Sequence, residues 1–188
     1  MGRTTIAVND EVAAKLSEES KKRNITEYSL ANQLLETELR LLNSSMDAED
    51  VESSAILSQF VKSMDGLPLP VEIIGELTEY IYKKDKKWLE DVWYNLGKKL
   101  GAYVRTYVFD VRELESQAKH IIKFVPIKLV KVDTENEKSL KISLIGAWSF
   151  TSLSFCIAQV LKGIVETYGY KLKNLEYGKG FVTVKASI

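Results

Sequence analysis

Apolar and polar positions change period along the chain, and the changes mark its elements. Residues 3–8, Arg-Thr-Thr-Ile-Ala-Val, alternate with period two and predict a short strand. Asn9-Asp10 stops the strand and offers a helix cap. A helix is predicted from Glu11 to Arg23, with Val12, Ala13 and Leu16 on one face. Asn24-Ile25 reads as a turn, because Asn tolerates the left-handed backbone that ends helices. Thr26 is a second N-cap, and Leu30, Ala31, Leu34, Leu35, Leu41 and Leu42 carry the next helix to about residue 42.

Residues 43–54 are polar and acidic and read as a domain boundary; the stretch 44–70 holds five acids and one base. Within it Ile56, Leu57, Phe60, Val61 and Met64 predict a helix from Val51 to Met64. Pro70 suits the first position of a helix over 71–82. The strongest helical pattern is 87–108, through Leu89, Val92, Trp93, Leu96, Leu100, Tyr103, Val104 and Tyr107. Gly97 and Gly101 stand four apart on it. Each costs helix stability, about 1 kcal/mol against Ala, which implies a close backbone approach to another helix or to a ligand. A further helix is predicted over 111–123. After Pro126 the period becomes two, giving strands Ile127–Val132 and Leu140–Ile145 as a hairpin. A helix over 152–168 follows a Thr151 cap and ends at Gly169. A second hairpin, Tyr170–Tyr177 and Gly180–Ala186, turns at Gly178-Lys179.

The expected class is therefore α+β. An arm over 1–43 precedes an acidic linker and helix over 44–70 and an α/β domain over 71–188. Formal net charge is zero, which argues against a polybasic protein that coats nucleic acid or membrane. The single Cys, Cys156, permits no intrachain disulfide and points to a reducing compartment. No apolar run approaches the roughly 18 residues of a membrane span, and no apolar leader opens the chain. A cytoplasmic protein without membrane contact is expected.

The first forty residues resemble the ribbon-helix-helix family of DNA-binding proteins, over residues 2–43. The resemblance implies an intertwined homodimer whose paired strands enter the major groove of double-stranded DNA. Thr4, Ile6 and Val8 would then face the dimer core, and Arg3, Thr5 and Ala7 would read bases. The N-terminus of the second helix, with Thr26, Tyr28 and Ser29, would bind backbone phosphate.

The closing stretch, Cys156–Tyr170 with Leu172–Tyr177 and Phe181–Val184, resembles the end of the 4-vinyl reductase domain, a small ligand-binding module. That likeness covers about 85–188 and implies a site for a small apolar or aromatic ligand. Candidate lining residues are Trp93, Tyr94, Tyr103, Tyr107, Trp148 and Phe155, where the 87–108 helix would meet the segment 146–156. Metal-binding members of that family use several cysteines, and one Cys with one His does not make a four-ligand site. No metal and no cofactor are expected. His120 has no ligand-spaced partner and reads as structural or surface, not catalytic.

No phosphate loop, dinucleotide fingerprint or nucleophile elbow occurs, so no catalytic residue is expected. The leading expectation is a homodimeric transcriptional regulator, a repressor type with a C-terminal sensing or dimerisation domain. The alternative is a protein-interaction module that never touches DNA.

Overall fold

A computed structural model describes residues 4–43, 46–63, 65–67, 69–136 and 138–188, apart from the side chains of Ala48, Phe60, His120, Ile121, Glu135 and Asn136. The chain divides into two compact units, Met1–Glu52 and Ser53–Ile188.

In the first unit, helix α1 (Asp10–Lys22) begins where the Asn9 side chain accepts the Val12 N–H at 2.9 Å. It ends at Asn24, whose φ of 53° is the left-handed conformation expected there. Helix α2 (Glu27–Asn43) follows, and Leu30 is fully buried. Leu34, Leu35, Leu39 and Leu42 on α2 are exposed.

The ribbon is corrected. Residues 4–9 form no strand, and Ile6 and Val8, assigned to a dimer core, are 63% and 55% exposed. A strand needs a neighbour for its N–H and C=O groups. Every strand of the described structure lies in the second unit, and none pairs with these residues. The two helices form because their caps and apolar faces are local signals.

Helix α3 (Ala48–Ser63) carries the division between the units, inside the stretch read as linker and helix. In the second unit α4 (Val71–Lys84) starts after Pro70, which sits just outside the helix with ψ 140° rather than in its first turn. Helix α5 (Lys86–Val104) is capped by Asp85, whose carboxylate accepts the Trp88 N–H at 2.9 Å. It stops four residues short of the predicted end. The helix expected over 111–123 opens with a 3₁₀ turn, Val111–Glu113, before α6 (Leu114–Ile122).

Strands β1 (Ile127–Asn136) and β2 (Ser139–Gly146) form the first hairpin, and β3 (Lys171–Gly178) and β4 (Phe181–Ser187) the second. Between them runs α7 (Thr151–Thr167). The four strands make one antiparallel sheet, ordered β1-β2-β4-β3. Period-two alternation brings Leu140 opposite Ala186, Ile142 opposite Val184 and Leu144 opposite Val182, and all six are buried. Helix α7 packs on the β3–β4 side of the sheet and against α5 and α4, so it is buried on nearly every face.

The α5–α7 contact explains the two glycines. A Cβ on Gly97 would lie 2.3 Å from the Val160 carbonyl oxygen, and one on Gly101 would lie 2.4 Å from Thr167 Oγ1. From the other side, a Cβ on Gly163 would meet the Tyr94 carbonyl oxygen at 2.6 Å. The three glycines let two helix backbones touch. No helix among the described residues is long and apolar enough to cross a membrane.

Candidate functional site

The second unit contains an apolar pocket of about 210 Å³, partly open to solvent. Its walls come from successive elements, each by its own periodicity. Leu100 and Val104 reach it from the last turns of α5, one helical turn apart. Leu114, Gln117, Ala118 and Ile122 line it from α6 at spacings of three, one and four, a single helix face. Leu161 and Ile164 close it from α7, and Ile56 from α3.

The sheet supplies Ile127, Val130 and Val132 from β1 and Ile142 and Leu144 from β2. Ile127 and Val130 differ by an odd number, so strict alternation would send them to opposite faces. The register shift between Ile127 and Leu129 restores both to the inner face. Gln117 and Tyr107 are the described lining residues that carry polar side-chain groups. Tyr107 stacks edge-on against Tyr103 at 5.4 Å. Partial burial, with Tyr103 beside it, pushes its phenol above the usual range.

Of the six aromatics considered for a ligand pocket, the cavity takes Tyr107, with Tyr103 as its neighbour. Phe155 and Trp93 belong to a separate cluster with Leu89 and Cys156, where Phe155 meets Tyr82 and Tyr177 edge-on at 5.1 and 5.6 Å. Tyr94 donates its hydroxyl to Glu166 at 2.5 Å, a bond that together with burial raises the phenol pKa. Trp148 lies over Gly146, and its Nε1–H donates to Ser154 Oγ at 2.8 Å. The aliphatic lining was not singled out from the sequence. Its signal is the inward face of each element, which it shares with the ordinary core.

Cys156 is fully buried, and desolvation pushes its thiol up to about 12, so it is no nucleophile at neutral pH. Among the described residues no group of His, Cys, Asp and Glu could hold a metal ion. The side chain of His120 lies outside the described residues.

The residues expected to touch DNA all belong to the first unit. Arg3 lies outside the described residues, and Thr5 and Ala7 are exposed on a segment with no strand. At the start of α2 the Ser29 N–H, assigned to phosphate, donates instead to Thr26 Oγ1 at 3.1 Å, and Tyr28 lies exposed beside it.

No protein-family model matches the chain, and no curated protein matches it. Solved structures similar to it are H-NOX domains, not ribbon-helix-helix proteins. One is an oxygen-binding H-NOX domain related to soluble guanylate cyclases, in its oxygen complex: 9% identity over 82% of this chain and 91% of that one, TM-score 0.41. Another is a Cs H-NOX variant carrying 4-cyano-L-phenylalanine: 12% identity, 82% of this chain and 92% of that one, TM-score 0.40. A third, from work on H-NOX activation, has 8% identity over 64% of this chain and 72% of that one, TM-score 0.41. Likeness of this degree fixes neither ligand nor activity. The DNA-binding repressor expected from the sequence is corrected on the arm itself: residues 4–9 form no strand, so the described residues hold no ribbon to enter a major groove.

Proposed function

We propose that the second unit is a binding module for a small, neutral, apolar ligand about the size of one aromatic ring. The observation that carries this reading is the cavity itself, about 210 Å³ and lined almost wholly by aliphatic side chains. An apolar cavity of about 150 Å³ stays dry and takes up benzene, so one of this size suits a single ring or a short branched hydrocarbon. Gln117 and Tyr107 can each make one hydrogen bond to such a ligand and so orient it. A charged ligand would find no ionic partner in the described lining. Burying about 150 Å² of ligand surface gives roughly 4 kcal/mol, which corresponds to a Kd near 1 mM before the polar contacts are added.

H-NOX domains are haem proteins in some of the similar structures, one of which concerns haem distortion in that family. The described lining does not fit haem. The described lining has no His or Cys to hold iron and no Lys or Arg to meet a propionate, and the cavity is of single-ring size. The reading is therefore of a sensor or carrier of a small apolar molecule, with no catalytic step assigned.

The test is thermal unfolding of the full chain with toluene, phenol or benzoate. Toluene and phenol should raise Tm, benzoate should not, and Leu161→Trp, which fills the cavity, should abolish the response. Equal stabilisation of wild type and Leu161→Trp, or no response to either neutral ring, would overturn the proposal.

A further inference from the structure

The outer face of the sheet, away from the cavity, carries an unusual charge arrangement at one end. Lys141 on β2 and Lys185 on β4 are directly opposite each other in the register. Like charges facing across a strand pair destabilise a sheet. Lys173 joins them from β3, and all three line one surface depression of about 170 Å³. Lys173 reaches it because of a register shift between Leu172 and Asn174. Leu172 and Leu175 face inward opposite Ala186 and Val184, and the extra residue between them leaves Lys173 and Asn174 both exposed.

Some cations elsewhere on the chain are ion-paired. Lys15, Lys22, Arg23, Lys83, Lys87 and Lys131 each have a carboxylate within 4 Å. Lys141, Lys173 and Lys185 have none among the described residues. The nearby acids are engaged otherwise: Asp133, opposite Lys141 on β1, is held by Lys131 at 2.7 Å, and Glu176 accepts from Asn174 at 2.6 Å. The side chains of Glu135 and Glu137, in the adjoining hairpin, are outside the described residues. The same depression is lined by Ser139, whose Oγ is shielded from solvent and has no hydrogen-bond partner. Such an atom costs free energy unless something binds it.

We infer that this depression is a binding site for a phosphate group, with Lys141, Lys173 and Lys185 supplying charge and Ser139 Oγ, once its side chain rotates about χ1 toward the depression, a directional hydrogen bond. A phosphate would turn the Lys141–Lys185 repulsion into two attractions. Three lysines without a planar fork suit a compact, multiply charged anion better than a carboxylate. The phosphate could be free or the headgroup of a lipid, and the experiment separates the two.

The full chain is titrated with sodium phosphate, against sodium chloride at matched ionic strength, while backbone amide resonances are followed. Phosphate should shift Ser139, Lys141, Lys185 and Ser187 with saturation, and chloride should not. Lys141→Gln with Lys185→Gln should weaken phosphate binding at least tenfold, Ser139→Ala should weaken it severalfold, and Lys99→Gln on the remote α5 surface should leave it unchanged. These substitutions are on the surface, and retained far-UV dichroism would show that the fold survives. Flotation with vesicles containing phosphatidic acid identifies a headgroup if it succeeds and free phosphate if only the titration responds. Shifts reproduced by chloride, or unaltered in the double lysine variant, would overturn the inference.

Discussion

Gly97 and Val160 meet backbone to backbone: the place where a Cβ would stand on Gly97 is 2.3 Å from the Val160 carbonyl oxygen and 2.8 Å from its Cα. The obstacle is main chain, which cannot rotate away. Gly97→Ala should therefore separate α5 from α7 and cost about 1–3 kcal/mol, the range of overpacked cores, although Ala is the better helix former. Gly169→Ala is the contrast. Nothing stands within 4 Å of its Cβ position, but its φ is +87°, so its cost, about 1 kcal/mol, comes from the backbone alone. Urea unfolding of both variants, with the α5 and α7 amide shifts, distinguishes displacement from strain: only Gly97→Ala should move resonances on both helices.

Leu144 is buried at the centre of the sheet and also lines the cavity. Leu144→Ala should cost about 2–5 kcal/mol, as large-to-small core changes do. It also enlarges the space, so a saturating neutral ring such as toluene should restore more stability to the variant than it adds to wild type. Denaturation with and without toluene checks this. An equal increment in both would place the binding elsewhere.

Alkaline pH should destabilise the protein through one buried and one partly buried acid. Tyr168 donates to the Val108 carbonyl at 2.8 Å, and burial pushes its pKa up to about 12; burial pushes Cys156 to about 12 as well. Unfolded, these groups ionise near pH 10 and 8.5. The folded state holds its protons more tightly, so their contribution is complete below about pH 8.5 and is lost as pH rises toward 12. Stability measured from pH 7 to 11 should be level at first and then fall. Tyr168→Phe should flatten part of the fall. Iodoacetamide should leave Cys156 unmodified at pH 8 until denaturant is added.

Asp85 ends α4 and caps α5 by accepting the Trp88 N–H. Asp85→Ala should cost about 1 kcal/mol and Asp85→Asn much less, because Asn caps almost as well. Trp88 is half exposed, and its fluorescence reports the fraying at the start of α5 directly.

The order of elements was legible because each helix and strand carries its period in its own residues. The hairpins, the α7 boundaries and the left-handed Asn24 all come from signals within a few positions. The cavity was not legible, for a physical reason. Leu161 and Ile164 facing a void have the same pattern as Val165 facing packed neighbours. The aromatics that drew attention as pocket candidates mostly found close partners: Trp148 rests on Gly146 and Phe155 lies between Tyr82 and Tyr177. The register shifts that aim Ile127 inward and Lys173 outward depend on the neighbouring strand, which no single segment encodes. The same limit misled the reading of residues 4–8, where alternation describes a strand but cannot supply its partner.

The walls of the cavity are unequally anchored. Helix α7 is held by α4, α5, β3 and β4, whereas the nine residues of α6 lean chiefly on β1 and the 3₁₀ turn before them. Three sides of the chamber are masonry and one is a shutter. Local opening of α6 should therefore cost less free energy than unfolding the unit. Amide hydrogens of α6 should accordingly exchange much sooner than those of α7. A ligand held against that wall should slow the exchange of α6 toward that of α7.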